Sequence, residues 1–188
     1  RMAVFARPDT GGRRIGRVVQ RLCEIETYMA MAMLGLATSR DMGRELSQLD
    51  TQLSALVSQL NSEELNSDET LGQLLRISAA LENAVAQSAY RFGATRAYEA
   101  IVNQRIFILR EDRFKGRQTF GEFMMRRFDP AMRTVESTRT RLQSLTNRAA
   151  RASDLLRTRV DVERSAQNQD LLTSMDQRAD LQLRLQQT

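Results

Sequence analysis

At 188 residues the chain can bury a sizeable core, and two prolines, nine glycines and 5% aromatics favour helices over sheet. With no histidine and one cysteine it lacks the commonest general base and metal ligand, and it forms no intrachain disulfide. A net charge of +5 permits an anionic partner without demanding one.

The charge is unevenly placed. Residues 1–21 carry Arg1, Arg7, Arg13, Arg14, Arg17 and Arg21 against Asp9 alone. Residues 41–70 reverse this, with Asp41, Glu45, Asp50, Glu63, Glu64, Asp68 and Glu69 against Arg44. Arginine outnumbers lysine 27 to 1, which reads mainly as a genome-composition habit. No secretory signal is visible at the N-terminus. The longest apolar run, residues 28–37, is about half of the ~20 residues a membrane-spanning helix needs.

Residues 1–12 read as irregular, with Val4 and Phe5 lacking local apolar neighbours. A start at arginine points to a longer parent chain with an upstream domain. A first helix is predicted over about 13–61. Ile15, Val18, Leu22, Ile25, Met29, Ala32 and Leu36 keep the 3-4 spacing of a coiled coil, and Leu46, Leu49, Leu53, Leu56 and Leu60 resume it. Gly35 and Gly43 bracket a polar interval where a kink or break is expected. Met29, Met31, Met33 and Met42 suit either an adaptable surface or core filling; Met29 and Met33 lie on the apolar stripe and favour the core. Cys23, beside Leu22, reads as half-buried packing rather than a reactive thiol.

A second helix is predicted over about 68–112, opened by Ser67 with Asp68 and Glu69 in the dipole-favoured first turn. Its seam is Leu71, Leu74, Leu81, Val85, Phe92, Val102, Ile106 and Leu109, interrupted by Ser88, Thr95 and Glu99. In the following connector, Thr119-Phe-Gly-Glu122 fits a capping box, so a short helix over about 119–127 is expected to cover the bundle end. Phe114, Phe120, Phe123 and Met124 are alternatively candidates for contact with a partner or with the missing domain.

A third helix is predicted over about 130–188, with Asp129 as N-cap and Pro130 in the first turn. Val135, Leu142, Leu145, Ala149, Ala152 and Leu156 form its seam. Fifty-nine helical residues would span about 90 Å. Beyond Leu156 the sequence turns polar, until Leu171, Leu172 and Met175 restore a stripe and Leu181, Leu183 and Leu185 spread around the helix. Leu172, Met175 and Leu183 are candidates for self-association. The expected fold is all-α, an elongated antiparallel three-helix coiled-coil bundle over 13–188 with a short capping helix in the second connector.

Several strings carry a family resemblance: Gly16-Arg-Val-Val-Gln-Arg-Leu-Cys-Glu-Ile-Glu-Thr-Tyr28, Ala89-Tyr-Arg-Phe-Gly-Ala-Thr-Arg-Ala-Tyr98, Gln118-Thr-Phe-Gly-Glu-Phe123 and Leu156-Arg-Thr-Arg-Val-Asp-Val162. Gln167-Asn-Gln-Asp-Leu-Leu-Thr-Ser-Met-Asp-Gln-Arg-Ala179 and Leu181-Gln-Leu-Arg-Leu-Gln-Gln-Thr188 complete the set. Over residues 13–188 the chain resembles the C-terminal half of an uncharacterised bacterial family of predicted membrane-anchored proteins. The resemblance implies an N-terminal domain before this region and a hydrophobic membrane segment after it. A long helix ending in Leu-Leu-Thr-Ser-Met-Asp is also similar in layout to CorA-type magnesium transporters, although the Gly-Met-Asn pore signature is absent from this sequence.

No nucleophile–base pair is recognisable, so no catalytic residue and no cofactor is assigned. Glu63, Glu64, Asp68 and Glu69 lack the ordered spacing of a cation loop and read as solvated helix ends, so no metal is assigned either. Arg105, Arg110, Arg113, Lys115, Arg117, Arg126 and Arg127, interleaved with phenylalanines, make nucleic-acid binding an alternative; Glu111, Asp112 and Glu122 dilute that patch. The expected role is a membrane-proximal helical stalk of an oligomeric, membrane-anchored protein, a non-enzyme whose partner is itself. The expected location is the bacterial inner membrane, with this segment on the cytoplasmic face as Arg178 and Arg184 suggest. The alternatives are the cytoplasmic part of a CorA-like ion transporter and a basic coiled-coil adaptor.

Overall fold

The structure, a computed structural model, describes residues 3–60 and 67–186, with side chains described over 3–60 and 69–175. Three helices follow one another: α1 is Gly12–Gln59, α2 is Ser67–Leu109 and α3 is Phe120–Gln186. No strand occurs among the described residues. The expected end of the first helix, at about residue 61, lies outside them. So do the side chains of Ser67, Asp68 and Leu183.

The helices pack in two compact units, residues 1–49 with 81–145 and residues 50–80 with 146–188. In the first, Ile25, Ala32, Leu46, Phe92, Val102, Phe128, Val135, Leu142 and Leu145 are buried. Apolar side chains one or two turns apart on each helix meet those of its neighbours, and burial of each large one is worth about 1.5–3 kcal/mol. Glu24 pairs with Arg105 (2.8 Å), the rings of Tyr28 and Tyr98 stack at 5.8 Å, and the Thr95 hydroxyl donates to the Ala32 carbonyl (3.5 Å). The Arg105 Nε is buried and its N–H is poorly aligned, so that contact with Glu24 is an ion pair rather than a good hydrogen bond.

In the second unit Leu53, Leu56, Leu74, Ile77, Ala149, Ala152 and Leu156 form the core. Arg148 donates to Asp50 (2.6 Å) and Ser54 (3.0 Å), and Arg159 donates to the Leu60 carbonyl (2.6 Å). Leu71, placed on the seam by its spacing, is 41% exposed, and the next residue back, Thr70, is buried instead.

α1 is continuous through Gly35 and Gly43, where a kink or break was expected. The reason at Gly35 is packing: a Cβ there would lie 2.2 Å from Thr95 Oγ1, so glycine lets α2 approach the α1 backbone. The polar seam residues Ser88 and Thr95 are buried as expected, and Ser88 returns its hydroxyl to the Ala84 carbonyl at 2.7 Å. α2 stops three residues earlier than expected, because Arg110 adopts φ 48° and leaves the helical region. Lys115 and Gly116, at φ 50° and 71°, then make the tight turn closed by Arg117 N to Phe114 O (3.0 Å).

The expected short helix over 119–127 is not separate: α3 runs from Phe120 through Pro130 without a break. Its capping box is present, with Thr119 Oγ1 accepting from Glu122 N (3.1 Å) and Glu122 Oε2 accepting from Thr119 N (3.2 Å). Pro130 removes one intrahelical bond, to the Arg126 carbonyl. Burial of Phe128, Ala131 and Met132 on the same stretch holds the helix together across it.

Candidate functional site

Three of the four aromatic-connector candidates come together. On α3, Phe120, Phe123 and Met124 line a groove with Arg127 and the buried Phe128; on α1, Met29, Ala30, Met33 and Glu26 form the facing wall. The groove encloses about 580 Å³. Phe114 stands apart from it in the connector, 71% exposed, with the Lys115 ammonium 5.5 Å from its ring centre. The capping box fixes the first turn of α3, and Glu111 Oε2 accepts from Gly121 N (2.8 Å), so the rings project from a pinned helix start.

Residues 29 and 33 were expected to fill the core. Met29 is half-buried and Met33 is 38% exposed, and both line this groove instead. Cys23, expected half-buried, is exposed. The missed signal was a second α1 stripe: Val19, Cys23, Ala30, Met33 and Ala37 repeat at helical spacing beside the core stripe, and all five are exposed. Flexible thioethers and aromatic rings in a shallow groove can mould around an apolar side chain or the apolar face of a helix.

The self-association candidates on α3 are uncovered: Leu172 is 63% and Met175 65% exposed, with Leu171 beside them at 61% and Val162 earlier on the same helix at 63%. Leu183 lies outside the described side chains. No helix among the described residues is long and apolar enough to cross a membrane.

The connector arginines do not form one free basic face. Arg105 is held by Glu24 and Arg113 by Glu122. Among the described residues no three His, Cys, Asp or Glu side chains gather as metal ligands. Glu63, Glu64 and the Asp68 side chain lie outside those residues, and Glu69 is exposed.

One carboxylate departs from its usual behaviour on a packed face. Burial first, then the charges of Asp129 and Glu136, push the Glu99 carboxyl up, with Arg96 pulling it back. Glu136 is itself held low by the hydrogen bond from Arg139, which donates to it at 2.6 and 3.0 Å. This cluster is a local electrostatic adjustment between α2 and α3.

One family matches the chain, over residues 1–188. The chain belongs to the DUF3422 family, proteins of unknown function. No curated protein and no solved structure matches it, and nothing found links this DUF3422 chain to CorA-type transporters.

Proposed function

We propose that this chain is the membrane-proximal helical stalk of a membrane-anchored protein. It is an antiparallel three-helix coiled-coil bundle that associates with copies of itself through α3, and its role is mechanical rather than catalytic. The observation that carries the reading is the change along α3. Every apolar seam residue up to Leu156 is covered, whereas Val162, Leu171, Leu172 and Met175 stand 61–65% exposed. An amphipathic helix with an uncovered stripe gains by burying it against another helix.

The antiparallel arrangement is supported within the first unit by contacts whose numbers rise on α1 and fall on α2: 24 with 105, 28 with 98, 32 with 95. In the second unit α1 and α3 rise together, 50 and 54 with 148, then 60 with 159. The membrane placement rests on the resemblance stated for residues 13–188, with Arg178 and Arg184 favouring a cytoplasmic face.

Sedimentation equilibrium over a wide concentration range tests the reading. The expected result is reversible self-association that Leu172→Glu and Met175→Glu abolish. A strict monomer at the highest concentration, or association indifferent to both substitutions, overturns it.

A further inference from the structure

We infer that the N-terminal arm and the first turns of α1 form a docking edge for the anionic surface of a lipid bilayer. This inference concerns a second lipid contact, at the start of α1, separate from the membrane placement proposed beyond α3 and from self-association through α3. It begins with a conflict in the sequence. The first turn of α1 carries no acidic residue, yet Arg13, Arg14, Arg17 and Arg21 fall within its first ten positions. The helix dipole disfavours cations there, and Arg13–Arg17 and Arg17–Arg21 are like-charge pairs at i,i+4. Local rules broken together without an internal compensation mark a functional surface.

The structure supplies no such compensation. Arg7, Arg13, Arg14 and Arg17 are exposed, Arg21 is half-buried, and none has an ion-pair partner among the described residues. Arg13, Arg17 and Arg21 fall on one face of α1, with Arg14 at its edge. Ahead of them the arm is apolar: residues 3–6 (Ala-Val-Phe-Ala) are all exposed, Phe5 by 96%, and Arg7 follows directly. The arm and α1 enclose a recess of about 470 Å³ into which Val4, Phe5, Arg7 and Arg14 all face, along with one acid, Asp9. Two guanidiniums beside an apolar edge match a phosphate headgroup with its acyl chain below.

Arginines alone would suit any polyanion. The arm decides between the classes: Ala3, Val4 and Ala6 have no π-face on which a base can stack and Phe5 offers a single ring, whereas a continuous apolar edge partitions into the boundary between headgroups and acyl chains. Anionic lipid is therefore the occupant, and nucleic acid is the competing outcome of the test.

Co-sedimentation with vesicles of phosphatidylcholine containing 30% phosphatidylglycerol checks this, with pure phosphatidylcholine vesicles and a single-stranded oligonucleotide as parallel arms. The chain is expected to bind the anionic vesicles, to release as salt rises, and to ignore the neutral ones. Each arginine near the surface contributes about fivefold, so Arg13→Gln/Arg14→Gln/Arg17→Gln should weaken binding on the order of 100-fold. Phe5→Ser should weaken it several-fold while leaving the salt dependence in place. All four positions are solvent-exposed, and an unchanged thermal melt verifies that the variants stay folded. Absence of binding to the anionic vesicles, equal binding to neutral ones, or oligonucleotide binding stronger than vesicle binding overturns the inference. None of these results bears on the sedimentation test of α3.

Discussion

α3 contains two stretches whose apolar stripes have opposite fates. From Phe128 to Leu156 its seam side chains are buried, Leu145 at 2% and Leu156 at 0% exposure, while Leu155, off the seam, is 64% exposed. From Val162 to Met175 they lie in solvent, although leucine at 171 and 172 is no less hydrophobic than leucine at 142 and 145. What separates them is cover: Leu53, Leu56 and Leu74 of α1 and α2 are buried in the same compact unit as Ala149, Ala152 and Leu156. An apolar stripe specifies that a helix has something to cover. It does not specify what covers it.

The largest expected effect sharpens that contrast directly. Leu156→Ala should cost about 2–5 kcal/mol of stability in chemical denaturation followed by circular dichroism. Leu172→Ala, measured on dilute protein, should stay within about 0.5 kcal/mol of the parent. Equal losses at both positions would erase the distinction.

Next comes the helix crossing that keeps the covered part tight. Gly35→Ala drives a methyl against Thr95 and should destabilise by about 1–3 kcal/mol, although alanine is the better helix former by about 1 kcal/mol. Adding Thr95→Ala removes the two atoms nearest that methyl besides the Thr95 Cβ, so the double variant should recover part of the loss. Strict additivity would show that α1 and α2 do not meet there.

A smaller effect probes the start of α3. Thr119→Ala removes the acceptor for Glu122 N and should cost about 1 kcal/mol. Hydrogen exchange should speed up in the first turn of α3 and not near residue 156.

The smallest is electrostatic. The Glu99 carboxyl titrates above its unfolded value, so its contribution favours the fold while it is protonated and is lost as pH rises through the raised value. At pH 7 the charge therefore works against folding. Glu99→Gln should stabilise at that pH by a few tenths of a kcal/mol, given the screening at a half-exposed site, and the gain should vanish below about pH 4. A gain that grew toward acid pH would reverse the assignment.

Much of this could be read from periodicity. The α3 seam from Val135 to Leu156 and the Leu46 to Leu56 run on α1 are buried as their spacing predicts, and the capping box of Thr119 and Glu122 is made. Those features are local: a 3-4 repeat or a Thr-x-x-Glu pattern completes its own logic within one or two turns. The groove was half legible. Phe120, Phe123 and Met124 drew notice as an aromatic cluster, but Met29 and Met33 were assigned to the core, since one helix alone cannot reveal which of two adjacent stripes its neighbours occupy.

The same division holds for the whole chain. Sequence by itself determined that the protein is helical, where its first two helices begin, and which of their residues seek cover, because backbone preference and side-chain period act over neighbouring residues; it set the start of α3 near 130, ten residues late. Tertiary structure decided that α1 passes unbroken through Gly35, that Pro130 sits inside α3, and that Leu171 and Leu172 face water. Each of those outcomes depends on what another helix brings to the spot. A tight Thr95 rewards glycine, a buried Phe128 outweighs one lost hydrogen bond, and where no neighbour arrives an apolar stripe stays open.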